Sequence, residues 1–158
     1  MLSKEACPKG EKQMYSSVVD IVKAYFGTFS LMSADKAALF LADDFNLIGF
    51  DENPIGKDAW VRFMNALKIA MPDLKIKLSD IQAEGNVVTL TQDGIGTHQG
   101  PMDLTAMDLA IFPATGKKVT FPGSQWAITV VEGKITREEL VTPASQDTGL
   151  AGILNAFG

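Results

Sequence analysis

Apolar side chains return every three to four positions from Met14 onwards. Met14, Val18, Ile21, Val22, Tyr25 and Phe29 fall on one face of a helix of about five turns. Ser33, followed by Ala34 and Asp35, has the form of an N-cap with an acid in the first turn, and it leads into a short second helix from Lys36 to Ala42. Trp60, Phe63, Met64, Leu67 and Met71 repeat the helical spacing in a third helix. Pro72 ends it, because the proline ring crowds the preceding residue out of the α region. Between the second and third helices, DDFNLIGFDENPIG mixes β-formers with turn residues and predicts one or two short strands and a loop.

After Pro72 the period falls to two. Leu74, Ile76 and Leu78 alternate with Lys75, Lys77 and Ser79, which predicts a strand with one wet face. Glu84-Gly85-Asn86 supplies a turn, and a second strand runs from Val87 to His98. Two more, Lys118 to Val131 and Lys134 to Val141, are joined tightly at Glu132-Gly133. Helices first and hairpin-linked strands afterwards predict an α+β domain, with the helices on one face of an antiparallel sheet. The long connection PMDLTAMDLAIFPATG is the one place where a parallel crossover could intervene. A chain of 158 residues fits one domain. The expected organisation is a tail over 1–13, a domain over 14–142 and a tail over 143–158 that holds a short apolar segment, Leu150 to Phe157.

Charge narrows the function. The formal net charge is -5, so there is no basic field to hold phosphates, and nucleic acid is not an expected partner. No apolar run reaches the roughly 18 residues needed to cross a bilayer, and MLSKEACPKGEK has no signal-like stretch, so a cytoplasmic protein without membrane association is expected. The single cysteine, Cys7, has no partner for an intrachain disulfide. There is no nucleophile elbow, no phosphate-binding loop, and no histidine or cysteine spacing suited to a metal; neither metal nor cofactor is expected.

The order and spacing of MPDLKIKLSDIQAEGNVVTL, GTHQG, PATGKKVTF and VEGKITREEL resemble the SnoaL-like, polyketide cyclase-like branch of the nuclear transport factor 2-like superfamily, over roughly residues 14–142. The resemblance implies a cone-shaped α+β roll whose curved sheet wraps the first helix and leaves a pocket at the open end. It also implies frequent homodimers and very diverse functions, ring cyclases and isomerases among them. A dimer is expected on a second ground. The strand from Lys118 to Val131 has Val119, Phe121 and Ala127 on one parity and Trp126, Ile128 and Val130 on the other, so both sheet faces should be covered.

The only histidine, His98, ends the strand face Val88, Leu90, Gln92, Gly94, Gly96, where side-chain volume is withdrawn before an imidazole. This suits a pocket mouth with a catalytic histidine; a strand cap bonded to a backbone carbonyl or to Asp108 suits it equally. In cyclases of the family an acid near the end of the last strand is implied to move protons during aldol-type ring closure. Read through GKI, the family continues with histidine or tryptophan and then aspartate, whereas this chain has Glu138, Glu139 and Leu140. Glu139 shares a parity with Ile135 and Val141, so it is the catalytic candidate if those aliphatics point inward; a solvent-facing Glu138-Glu139 pair is the alternative.

Asp108 lies in an apolar insert, where an ionised carboxylate needs a partner that His98 could supply. Candidate ligand contacts are Gln125, Asp44 after the second helix, and Tyr25, Trp60, Phe63 and Met64, although helical spacing already explains Trp60 and Phe63 as core. Two functions fit. One is a cofactor-free cyclase, isomerase or lyase acting on a small apolar carbonyl compound; the other is a non-catalytic module that binds such a molecule in the same cavity.

Overall fold

A computed structural model describes residues 17–30, 34–105, 108–142 and 153. Among these residues are three helices, α1 (Val18–Ser30), α2 (Ala34–Ala38) and α3 (Lys57–Ala70); α2 packs against α1 and α3, and α1 and α3 pack against one curled sheet. Its strands are β1 (Leu41–Ile48), β2 (Ile55–Gly56), β3 (Lys75–Glu84), β4 (Val87–Thr97), β7 (Lys118–Val131) and β8 (Lys134–Leu140), in the order β2-β1-β8-β7-β4-β3. A separate hairpin, β5 (Met102–Asp103) with β6 (Ile111–Phe112), fills the long connection, so no crossover forms and β4 pairs antiparallel with β7. Among the described residues the one parallel pairing is β1 with β8. The architecture is the expected α+β roll.

The second helix is shorter than its spacing predicts. The Phe40 carbonyl accepts from the Ile135 amide at 2.7 Å, and Leu41 is already paired with Ile135 in the sheet. Pairing with β8 therefore wins over helix propensity at Leu41 and Ala42. Met14 and the Ser33 cap lie outside the described residues, as do both tails apart from Ile153, which is buried in the core.

Extra residues interrupt the long strands, and each interruption exchanges the two faces beyond it. In β7, Gln92 faces Ser124 and Gly94 faces Phe121, so Pro122 and Gly123 together oppose Asp93. Val119 and Phe121 consequently share the inner face with Trp126, Ile128 and Val130. The apolar pattern that predicted two covered faces belongs to one, and the outer face of β7 carries Thr120, Gln125, Ala127 and Thr129. In β3 the extra residue falls at Asp80 and Ile81, with Asp80 at φ 52. In β8, Val130 pairs with Ile135 but Thr129 pairs with Arg137, which leaves Thr136 over.

The glycines of GIGTHQG, residues 94–100, serve close packing. A Cβ on Gly96 would stand 3.1 Å from Leu74 Cα, and one on Gly94 would stand 3.2 Å from Phe121 Cδ2, so the withdrawn volume is filled by protein. The amides of Gln99 and Gly100 both donate to the Ala70 carbonyl, at 2.9 and 3.1 Å, and so cap the C-terminal end of α3. At Gly100 a Cβ would collide with the Ile69 carbonyl oxygen. Gly100→Ala should therefore destabilise the fold by about 1–3 kcal/mol. Gly27→Ala, whose Cβ meets nothing within 4 Å on α1, should stabilise it by up to about 1 kcal/mol through helix propensity. Urea midpoints test the pair; equal midpoints for the two variants would contradict this account of the glycines.

Candidate functional site

Tyr25, on the apolar face of α1, projects towards α3 and β8 and is fully buried. Its hydroxyl accepts from Trp60 Nε1 at 2.9 Å and donates to Glu138 Oε1 at 3.0 Å. Three side chains distant in sequence thus form one buried polar chain from indole to phenol to carboxyl. A donor that also accepts is polarised in such a chain, which strengthens both bonds. Around it lie aromatic rings. Trp60 stacks on Phe63 at a centroid distance of 5.2 Å, Phe50 meets both edge-on, and Phe26 meets Tyr25 edge-on at 5.1 Å.

The extra residue at Thr136 explains why Glu138 is the inward acid. Ile135 faces the core; beyond Thr136 the parity exchanges, so Glu138, opposite Ile128, and Leu140, opposite Trp126, face the same interior. This corrects the parity that placed Glu139 inside. Glu139 is half-buried opposite Ala127, and its carboxylate pairs with Arg137 at 3.1 Å. Leu140, at the position where the sequence comparison expected an aspartate, is apolar and buried, and the carboxyl stands two residues earlier on the same face.

Burial governs the site's electrostatics. Glu138 is 2 % exposed, and loss of water pushes its carboxyl up from the ordinary 4.5 to about 7, against the opposing effect of the Tyr25 hydroxyl. Tyr25 is held well above its ordinary value, first by burial and then by the adjacent carboxylate. The phenol therefore stays protonated, and the carboxyl is the group that exchanges a proton near neutrality.

The other candidates lie apart from this chain. His98 is fully buried just beyond β4, with Nδ1 3.0 Å from Thr115 Oγ1, and its backbone bonds to Lys117 and Gly116; it ties the strand end to the loop that enters β7. Burial lowers its pKa, and a backbone hydrogen bond at Gly100 acts in the opposite sense. Gln125 faces Thr91, seven residues before His98 and so roughly 20 Å along the strand. The structure does not bring His98 and Gln125 together. Gln125 lines an outer groove of about 370 Å³ with Asp80, Gln82, Thr89, Thr91 and Val141. Asp108 is exposed at a turn with φ 59, and Asp44 is exposed on β1. Of the ligand-contact candidates, Tyr25 and Trp60 join Glu138, while Phe63 and Met64 are buried beside them in the core.

Sequence reasoning missed the pairing of Tyr25 with Glu138. The available signal was the phenol itself: a tyrosine centred on a buried helix face needs a polar partner. No glycine or proline marks the extra residue in KITREEL, so nothing singled out Glu138 over Glu139.

Among the described residues no helix is long and apolar enough to cross a membrane, and no cluster of potential metal ligands is present. A search of curated proteins returns no match. Among solved structures, AclR from Streptomyces galilaeus, a proposed hydroxylase, is similar with a TM-score of 0.71 and 18% identity, covering 90% of this chain and 82% of that one. A proposed SnoaL-like polyketide cyclase from Jannaschia sp. CCS1 is similar with a TM-score of 0.68 and 16% identity, covering 95% and 97%. A SnoaL-like polyketide cyclase from Agrobacterium tumefaciens gives 0.62 and 19%, covering 90% and 98%. At these identities the likeness is one of fold. The family model for SnoaL-like polyketide cyclases matches residues 19–142, which takes in all three helices, the sheet and the Tyr25–Glu138 pair, and the chain belongs to that family.

Proposed function

We propose that the protein is a cofactor-free enzyme that moves protons on a small apolar carbonyl compound, with Glu138 as the general base and acid. One observation carries this reading: a buried carboxyl that titrates at about 7, bonded to a phenol that stays protonated. A base poised near the working pH has both a useful fraction of carboxylate and enough driving force to take a carbon-bound proton. The carboxylate takes a proton α to the substrate carbonyl. The C–H electron pair then forms the enolate, whose carbon attacks a second carbonyl of the same molecule or is reprotonated. In either case Glu138 returns its proton, to the new alkoxide in ring closure or to carbon in isomerisation. Tyr25 orients the carboxyl, and Trp60, by donating to the phenol oxygen, directs the phenolic hydrogen at Glu138. The surrounding rings favour an apolar substrate.

The alternative, a binding module without turnover, is favoured by one feature. Tyr25 and Glu138 satisfy each other within the core, as a purely structural pair does. Exchange of the α-hydrogens of 2-tetralone in deuterated water separates the two readings. The wild type should accelerate exchange above buffer, with a rate that rises through pH 7. Glu138→Gln should lose roughly 10²- to 10⁴-fold of that rate, and Tyr25→Phe a smaller part. Exchange at the buffer rate in the wild type, or undiminished exchange in Glu138→Gln, would contradict the enzymatic reading.

The same carboxyl predicts a pH dependence of stability. The folded state holds the Glu138 proton up to about pH 7 and the unfolded chain only to about 4.5, so the folded state binds more protons between these values. Its contribution is therefore full below pH 4.5 and is lost as the pH rises through 7. His98, whose pKa is lowered, acts in the opposite sense: its contribution is present above the ordinary 6.5 and lost as the pH falls. Comparing the wild type with Glu138→Gln cancels the His98 effect. Between pH 5 and 8 the wild type should lose stability relative to the variant, on the order of 3 kcal/mol. Parallel denaturant-derived stability curves would count against a buried, proton-retaining Glu138.

A further inference from the structure

Gln92 lies on the inner face of β4, between Leu90 and Gly94, with Leu78 opposite on β3 and Ser124 opposite on β7. Its amide oxygen Oε1 is buried and has no hydrogen-bond partner. A buried carbonyl without a donor costs free energy of folding, so its presence calls for an explanation beyond packing. Directly across the ladder, the Ser124 hydroxyl accepts from Trp126 Nε1 at 3.0 Å, and this leaves the hydroxyl's own hydrogen to donate. Side chains at such opposed positions stand roughly 5 Å apart at Cβ. Here they present an acceptor and a donor side by side without bonding to each other.

A single functional group answers both. A hydroxyl donates one hydrogen and accepts another, so it can give its hydrogen to Gln92 Oε1 and take that of Ser124. The flanking surface is apolar: Leu78 and Phe121 are half-buried on the same face, and Leu90 and Trp126 form the next rank inward. Glu138 stands on that face two ranks from Gln92, since Gln92 faces Ser124, Leu90 faces Trp126, and Ile128 faces Glu138.

We propose that Gln92 and Ser124 form a hydroxyl-reading subsite, so that the molecule this face takes is an apolar ring compound with a phenolic or alcoholic hydroxyl at the end remote from its reacting carbonyl. The inference rests on the reading of the inner face as a ligand site, and it names the chemical class of ligand. It adds to that reading a specificity-determining residue that takes no part in proton transfer.

The test uses 2-naphthol and naphthalene, one ring system with and without the hydroxyl, and follows binding by quenching of tryptophan fluorescence. The wild type should bind 2-naphthol about tenfold more tightly than naphthalene, as one or two neutral hydrogen bonds allow. Gln92→Met keeps the volume and removes the carbonyl. It should abolish the preference and raise the thermal midpoint, because no buried acceptor is then left without a donor. Ser124→Ala should reduce the preference as well, and it serves as the independent variant if Gln92→Met does not fold. Equal affinities for the two probes in the wild type, binding of neither, or a lowered midpoint in a folded Gln92→Met would overturn the proposal. If the preference is absent but exchange of 2-tetralone still depends on Glu138, this subsite fails alone and the proton-transfer reading stands.

Discussion

Side chains alternate along a β-strand only until an extra residue enters the ladder, and past that point the buried and exposed sets change places. The interior of this protein depends on that exchange in β3, β7 and β8. At Pro122-Gly123 it gathers Val119, Phe121, Trp126, Ile128 and Val130 onto one face. At Thr136 it turns Glu138 inward and leaves Glu139 beside Arg137. The same insertions bend the strands, so the sheet curls, and Tyr25 of α1, Trp60 of α3 and Glu138 of β8 meet through their hydrogen bonds. Without the extra residue in β8, Arg137 and Glu139 would share the inner parity with Ile135, and Tyr25 would lose Glu138 as the acceptor for its hydroxyl.

A carboxyl inside an aromatic core is costly as an ion, because the energy of hydration is forfeited and a single hydrogen bond returns only part of it. Glu138 resolves the conflict by keeping its proton across most of the acidic range, and the Tyr25 hydroxyl limits how far this goes by stabilising the carboxylate. Trp60 enters indirectly. By occupying the phenol oxygen as a donor, it fixes the direction in which the phenolic hydrogen points. Such a chain loses more than one bond when a member is removed, since a partner is then left buried without its bond. The glycines near His98 are governed by a different constraint. They admit the 70–74 turn and the end of α3 against β4, and the imidazole then secures the loop that returns to β7.

How much of this could be read from the residues follows from what carries the signal. The helical spacing of Tyr25, Trp60 and Phe63 and the alternation after Pro72 are local patterns, so the helices, the hairpins and the α+β arrangement were legible. The family resemblance likewise agrees with the match over residues 19–142. Parity across an insertion is a property of the paired strand and not of the strand alone, and for that reason Glu139 was favoured over Glu138. Pro122-Gly123 does interrupt its strand visibly, and read as a bulge it would have removed the argument for two apolar faces. The glycines before His98 were read as withdrawing volume at a pocket mouth, and only the tertiary packing shows that Leu74, Met71 and Phe121 occupy the space.

The central claim is that a carboxyl sits in the core and gives up its proton only near neutral pH because of where β8 gains its extra residue. Carbon-13 resonance of side-chain carboxyls in glutamate-labelled protein, with Glu138→Gln to assign the signal, measures this directly. The account predicts one carboxyl that titrates with a midpoint near 7 and is missing from the variant. A Glu138 signal that titrates near the ordinary 4.5 would mean that the carboxyl is solvated, and would contradict the account.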